Sequence, residues 1–208
     1  MISSLSQPGR ATVASLAEAS PLKEWEALWA PYDEATYAAV LAAIEPSDVV
    51  LDIGAGDLRL TRRIAERAHQ VIAWEIQPDL LAAAIRPFPA NLFAVATDAR
   101  TEPVPAGITV AVLLMRHCTH YALYVEKLRA AGCRRLITNA RWGMGVEVID
   151  LSPGVSFDSA GVGWYACRRC GAVGFVETVA AQVDKATIEN VSDVEGCPAC
   201  SAYRNRLT

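Results

Sequence analysis

From residue 49 to residue 139 two hydrophobic patterns take turns along the chain. Short apolar runs at 49–53, 70–75, 91–96, 108–115 and 134–139 have the length and β-branched content of buried strands. Between them, 58–68, 77–85 and 120–131 place apolar residues at helical spacing. Such alternation predicts an α/β fold, a Rossmann-like, mostly parallel sheet with helices on both faces. Residues 146–151 predict one further strand at its edge. Upstream, Trp25, Leu28, Trp29, Tyr32, Tyr37, Val40, Leu41 and Ile44 recur at roughly helical spacing over 21–44, with Pro31 dividing two helices. These aromatics predict core packing more than a lid. Residues 1–20, rich in Ser and Ala, read as a loose N-terminal arm.

After Pro153-Gly154 the texture changes to Gly, Ser and Cys with no long helical pattern. Two C-x-x-C pairs, Cys167/Cys170 and Cys197/Cys200, stand 26 residues apart. Each pair can chelate from one tight turn, which Gly171 permits, and two pairs complete a closed tetrahedral Zn²⁺ shell. A redox pair would need only one C-x-x-C in a thioredoxin-like setting, and an iron–sulfur centre is the other four-cysteine competitor. Strand-like stretches at 173–179 and 186–191 make this segment look like a small β-rich zinc ribbon, two knuckles on β-hairpins. Cys118 and Cys133 fall in the sheet region, and Cys133 reads as a buried free thiol.

Charge and composition narrow the setting. The chain has 208 residues, 52% of them hydrophobic, and a net charge of −4, so a buried core is expected and a basic nucleic-acid footprint is not. Arg168, Arg169, Arg204 and Arg206 leave the cysteine segment near neutral, and four thiolates with Zn²⁺ add a net −2, against a nonspecific phosphate clamp. No apolar run has the length of a membrane span. Nothing at the N-terminus has the apolar centre of a signal peptide. A cytoplasmic protein with reduced thiols is the expectation.

The chemistry gathers at the first strand-to-helix turn, Leu51-Asp52-Ile53-Gly54-Ala55-Gly56. Glycines there let the backbone turn sharply and approach a ligand, and the following helix start favours an anion. Glu75 ends the second strand, where a carboxylate can accept from both hydroxyls of a ribose. A nicotinamide fingerprint would need a third glycine where the chain has Arg59.

On Val-Val-Leu-Asp-Ile-Gly-Ala-Gly-Asp (49–57), Val-Ile-Ala-Trp-Glu (71–75) and Asn91-Leu-Phe-Ala-Val-Ala-Thr-Asp98, the chain resembles the class I S-adenosylmethionine-dependent methyltransferases over about 32–139. Leu60-Thr61 through Glu75 is most similar to the ribosomal RNA adenine dimethyltransferases. The resemblance implies that Gly54 and Gly56 hold the methionine end of S-adenosylmethionine and that Asp52 orients its amino group. It implies further that Glu75 binds the ribose and Asp98 the adenine amine. Leu58 stands where the family often has another glycine. Met115-Arg116-His117-Cys118-Thr119-His120-Tyr121 replaces the Asn/Asp-Pro-Pro-aromatic motif of the adenine-modifying enzymes, which argues against a base amino group as acceptor.

In this fold the loop after the fourth strand faces the methyl group. His117 or His120 is the expected base, Arg116 the expected anion contact, Tyr121 a pocket-lining catalytic candidate and Thr119 the helix N-cap. The predicted organisation is an arm at 1–20, a methyltransferase-like cofactor-binding domain at 21–151 and a zinc-ribbon module at 152–208. The expected function is methyl transfer to a protein, RNA or small-molecule acceptor, with the ribbon docking substrate or a partner protein. The alternative is an inactive methyltransferase-like scaffold in a protein complex.

Overall fold

The computed structural model describes residues 32–84, 86–116, 118–141, 145–177 and 183–200. The N-terminal arm, Trp25, Leu28, Trp29, Pro31, His117, Arg204 and Arg206 lie outside them. Helix α1 (Glu34–Ala42) turns Tyr37, Val40 and Leu41 inward, three residues at helical spacing. The chain then alternates as the hydrophobic pattern predicts: β1 (Val49–Ile53), α2 (Arg59–Ala65), β2 (Gln70–Glu75), α3 (Pro78–Ala83), β3 (Leu92–Ala96), β4 (Val110–Leu113), α4 (Tyr121–Ala130), β5 (Arg135–Thr138) and β6 (Glu147–Asp150).

These strands form one sheet in the order β3-β2-β1-β4-β5-β6. Neighbours from β3 to β5 run parallel, with Asp52 beside Ala73 on one side and Val112 on the other. The edge strand β6 is antiparallel to β5. Because β2 and β3 lie on one side of β1 and β4 on the other, the strand order reverses between β1 and β4. Open α/β sheets bind ligands outside the carboxyl ends of strands at such a point. The central strand β4 is buried throughout, as a parallel strand covered on both faces must be. On one face Tyr121, Tyr124, Val125 and Leu128 of α4 pack with Leu51, Ile53, Ala111, Leu113 and Leu136. The crossover from β3 to β4 contains no helix. Phe93 and Val95, beside Ile72 and Trp74 in register, therefore stay exposed at 51% and 43%.

A second sheet, in the order β7-β10-β8-β9, carries the cysteines. Its elements are β7 (Val155–Ser156), β8 (Gly163–Cys167), β9 (Val173–Val176), helix α5 (Lys185–Glu189) and β10 (Val191–Glu195). Two expectations change here. Residues 186–191 do not form a strand: Asp184 and Thr187 close a capping box, so a short helix starts at Lys185 and the strand waits until Val191. Nor do both cysteine pairs sit on hairpins. Strands β8 and β9 are antiparallel, but β10 runs parallel to both β7 and β8, so the second pair arrives by a crossover.

Both sheets belong to one compact unit that begins at Ala35. Side chains join them. The Tyr121 hydroxyl donates to the Arg168 carbonyl at 3.1 Å, and Arg129 pairs with Glu195. Arg141, its side chain 3% exposed, reaches Glu147 at 2.7 Å, Asp193 at 2.7 Å and the Ala166 carbonyl at 3.2 Å. Among the described residues no helix is long and apolar enough to cross a membrane.

Candidate functional site

At the end of β1 the backbone reverses through three residues in the left-handed region, Gly54 (φ 75°), Gly56 (φ 60°) and Leu58 (φ 66°). The first two are glycines, for which this conformation is unstrained. Leu58, fully buried, holds it as the residue preceding α2. The turn is fastened to the end of β2. Gly54 N–H and Ala55 N–H donate to the Trp74 carbonyl at 2.8 and 3.0 Å. Gly56 N–H donates to Glu75 Oε2 at 2.8 Å, and Gln77 N–H to Oε1 at 2.9 Å. Glu75 thus lies beside the glycines. Each of its oxygens accepts one backbone bond and keeps a second lone pair.

Asp52 is buried on the sheet face toward α2, where the Thr61 hydroxyl donates to it at 2.6 Å. Burial raises its pKa from 3.8 to about 6, against the Thr61 bond, and the nearby Glu75 charge adds to the rise. Asp98 follows β3 and is tied to its own neighbour. The Arg100 guanidinium binds it at 2.6–2.9 Å and Arg100 N–H at 2.9 Å. These contacts hold its carboxyl below the ordinary range.

The loop after β4 lies directly on the glycine turn. A Cβ added to Gly54 would stand 2.5 Å from Met115 Cε. Cys118 N–H donates to the Met115 carbonyl at 3.1 Å, and Tyr121 N–H to the Cys118 carbonyl at 3.4 Å. His120 is half-buried, with Nδ1 3.2 Å from Thr119 Oγ1. Thr119 does not cap the helix: His120 holds that position and no side chain caps it. Tyr121 is 3% exposed, and burial pushes its phenol well above the usual range. Its ring faces the cysteine turn, where a Cβ on Gly171 would stand 2.8 Å from Cδ1. Asn139, just beyond β5 at the same sheet end, is 2% exposed with both amide atoms unbonded. No pattern in the sequence marks it.

Cys167, Cys170, Cys197 and Cys200 come together with their four Sγ atoms within 4.8 Å of one another. Three of them are buried, Cys170 partly so. Separations of 3.6 Å for Cys167–Cys200, 3.5 Å for Cys170–Cys197 and 3.9 Å for Cys197–Cys200 are far too long for disulfides. They match the edges, about 3.8 Å, of a tetrahedron with metal–sulfur bonds near 2.3 Å. The turn is made by Gly171 N–H donating to the Cys167 carbonyl at 3.0 Å and Cys167 N–H to Ala172 at 2.8 Å. Hydrogen bonding from Cys170 lowers the Cys167 thiol, while burial raises that of Cys200. The donor set is all sulfur with no carboxylate or histidine, and it fits a closed, structural zinc site.

Residues 33–106 match the family model of ribosomal RNA adenine dimethylase. No curated protein matches the chain. Among solved structures it is similar to the 23S rRNA methyltransferase ErmE, at 28% identity over 51% of this chain and 46% of that one, with a TM-score of 0.42. It is similar also to a dimethyladenosine transferase from Plasmodium falciparum, at 19% identity over 51% and 41%, with a TM-score of 0.43. The precorrin 8w decarboxylase of Methanobacterium thermoautotrophicum aligns at 20% identity over 52% and 63%, with a TM-score of 0.45. The chain thus spans less than two thirds of the length of each of these structures. The sheet built around the glycine turn is Rossmann-like. Within the chain, residues 33–106 are those that match the ribosomal RNA adenine dimethylase family.

Proposed function

We propose that the protein is an S-adenosylmethionine-dependent methyltransferase whose cysteine module binds one structural Zn²⁺ and docks the substrate or a partner protein. The observation that carries this reading is the fastening of the glycine turn to Glu75. Gly56 and Glu75, 19 residues apart, meet at 2.8 Å beside the point where strand order reverses. One contact for the methionine end of the cofactor and one for its ribose are thereby held in a fixed relation. Asp52 orients the amino group from below the turn, and Asp98 closes the adenine end.

Bound there, the cofactor supplies an electrophilic methyl group on a sulfonium. Gly54, Gly56, Asp52, Glu75 and Asp98 would hold it, and it would supply its methyl group to the acceptor's lone pair and depart as S-adenosylhomocysteine. His120, on the loop that lies over the turn, takes the proton of a neutral acceptor, or His117 does. Arg116 holds an anionic part of it. The all-thiolate site points to a reducing compartment, the cytoplasm.

A second reading, a methyltransferase-like scaffold without catalysis, is favoured by Met115 lying over Gly54 and by the pairing of Asp98 with Arg100. Calorimetry separates the two. The enzyme reading expects S-adenosylmethionine to bind, and Glu75→Ala to weaken it by a factor of roughly ten or more, from the loss of charge-assisted bonds of about 1.5–3 kcal/mol each. No binding by the wild type, or equal affinity in the variant, removes the glycine turn as a cofactor site.

A further inference from the structure

The cysteine module touches the Rossmann-like sheet at one place of consequence for chemistry, the start of α4. Tyr121 is the first residue of that helix and the last link of the loop lying on the glycine turn. Its ring rests on Gly171, the residue after Cys170, so closely that even a methyl group on Gly171 would stand 2.8 Å from the ring. Its hydroxyl donates to the carbonyl of Arg168, between Cys167 and Cys170, at 3.1 Å. On the other side its N–H bonds to Cys118, whose N–H bonds to Met115, whose methyl group lies over Gly54. Met115 and Cys118 also pack against the buried cluster that contains Tyr121. Four links in unbroken sequence, the first of them made by two contacts, thus run from the first cysteine turn to the glycine turn.

The alternatives for Tyr121 are weaker. A catalytic acid or base must reach the reacting group, whereas this hydroxyl is committed to a backbone carbonyl of the cysteine turn. A residue serving only the core would not need a hydroxyl paired across to another sheet, nor a glycine opposite its ring. Gly171 has φ 75°, so the knuckle itself requires a glycine here. The same absence of a side chain makes room for the ring. We infer that Tyr121 is a positioning residue: through it the metal-bound knuckle holds Cys118 and Met115 against the glycine turn. In this arrangement the metal site sets the geometry of methyl transfer without contacting cofactor or acceptor. The inference rests on the methyltransferase reading for its consequence, though not for its physical content.

Amide hydrogen exchange and methyl transfer, measured on the full chain loaded with Zn²⁺, test it together. Tyr121→Ala leaves the four cysteines in place and should keep one metal per chain. It should speed exchange across 114–120 by about tenfold or more while β1 to β5 stay protected. Turnover should fall by about tenfold or more, with the dissociation constant for S-adenosylmethionine within about threefold of wild type. Tyr121→Phe, which restores the ring but not the bond to the Arg168 carbonyl, should recover part of the turnover. Removing the metal from the wild type with a chelator should produce the same loosening of 114–120. Chelating Tyr121→Ala should add little more there, because both perturbations cut one path. The inference is overturned if the loop exchanges at the wild-type rate after chelation. It is equally overturned if the effects of chelation and of Tyr121→Ala simply add. The chelation arm needs no substitution and so decides even if Tyr121→Ala fails to fold. If the wild type binds no S-adenosylmethionine, the methyltransferase reading falls while the exchange result still stands by itself.

Discussion

Asp52 illustrates how a single side chain can oppose the stability of the fold it serves. Its carboxyl titrates at about 6 in the folded chain against 3.8 ordinarily, because it is buried. The folded state therefore holds this proton more tightly than the unfolded one. As pH rises from about 4 to about 6 the folded state loses relative stability, and above that range the full penalty is present, on the order of 3 kcal/mol. Asp52→Asn keeps an acceptor for Thr61 and removes the charge. The variant should resist urea better than wild type near pH 7.5 and show no advantage near pH 3.5, as denaturation midpoints at the two pH values would show.

Leu58 poses the opposite balance. Left-handed backbone costs a side-chain-bearing residue about 1–2 kcal/mol, but emptying a fully buried leucine site costs about 2–5 kcal/mol. Leu58→Gly should therefore destabilise by on the order of 2 kcal/mol, despite relieving the backbone, as read by urea denaturation. The spacing of the glycines marks the turn in the sequence. It does not show that a third left-handed residue follows, because burial of the Leu58 side chain is what sustains that conformation.

At the scale of elements, the five parallel strands were legible because each is a short, continuous apolar run; β1, β2, β4 and β5 need it as mostly buried strands, whereas β3 keeps it with Phe93 and Val95 exposed. Helix lengths were less so. The pattern at 58–68 yields α2 only as far as Ala65, the remainder being a turn in which Arg67 and Ala68 N–H donate to Ile64. In the cysteine module the apolar content of 186–191 reads as strand, yet local capping by Asp184 and Thr187 decides for helix. The bond of Arg141 to both sheets left no trace in the sequence, since its partners Glu147 and Asp193 come from distant strands. Arg141→Met would remove the buried cation that Glu147 and Asp193 share. Allowing for the partial exposure of Asp193, the loss should be about 2–4 kcal/mol in chemical denaturation. It should also exceed that of removing the exposed pair Lys185–Glu189.

Over the whole molecule, the four cysteines were the most legible feature and their setting the least. Spacing alone implies that the four sulfurs meet, but not that the second pair follows a strand, β10, lying parallel to β8. Around the cluster, few large apolar side chains are buried: Val194 is the chief one. The metal should therefore contribute much of the module's folding energy. Chelation should make 163–200 the first region cut by a protease, while β1 to β5 persist. Loss of the Arg141, Arg129 and Tyr121 partners should still lower the thermal midpoint of the remainder. Elemental analysis should find one zinc per chain, and X-ray absorption should find sulfur near 2.3 Å. Iron in place of zinc would replace the assignment.

The crossover that sets β10 beside β8 also governs how the site can be assembled. Cys167 and Cys170 meet on one tight turn as soon as β8 and β9 pair. Cys197 and Cys200 join them only after the chain has passed from β9 through α5, and closing that loop costs entropy before any contact offsets it. A zinc ion captured by the near pair keeps two open positions in the interval, and a neighbouring chain can fill them as well as the chain's own second pair. In concentrated solution with metal already present, refolding then competes with cross-linking between molecules. Dilute refolding with zinc added last favours the monomeric site, so the history of the sample, and not only its composition, decides which species is isolated.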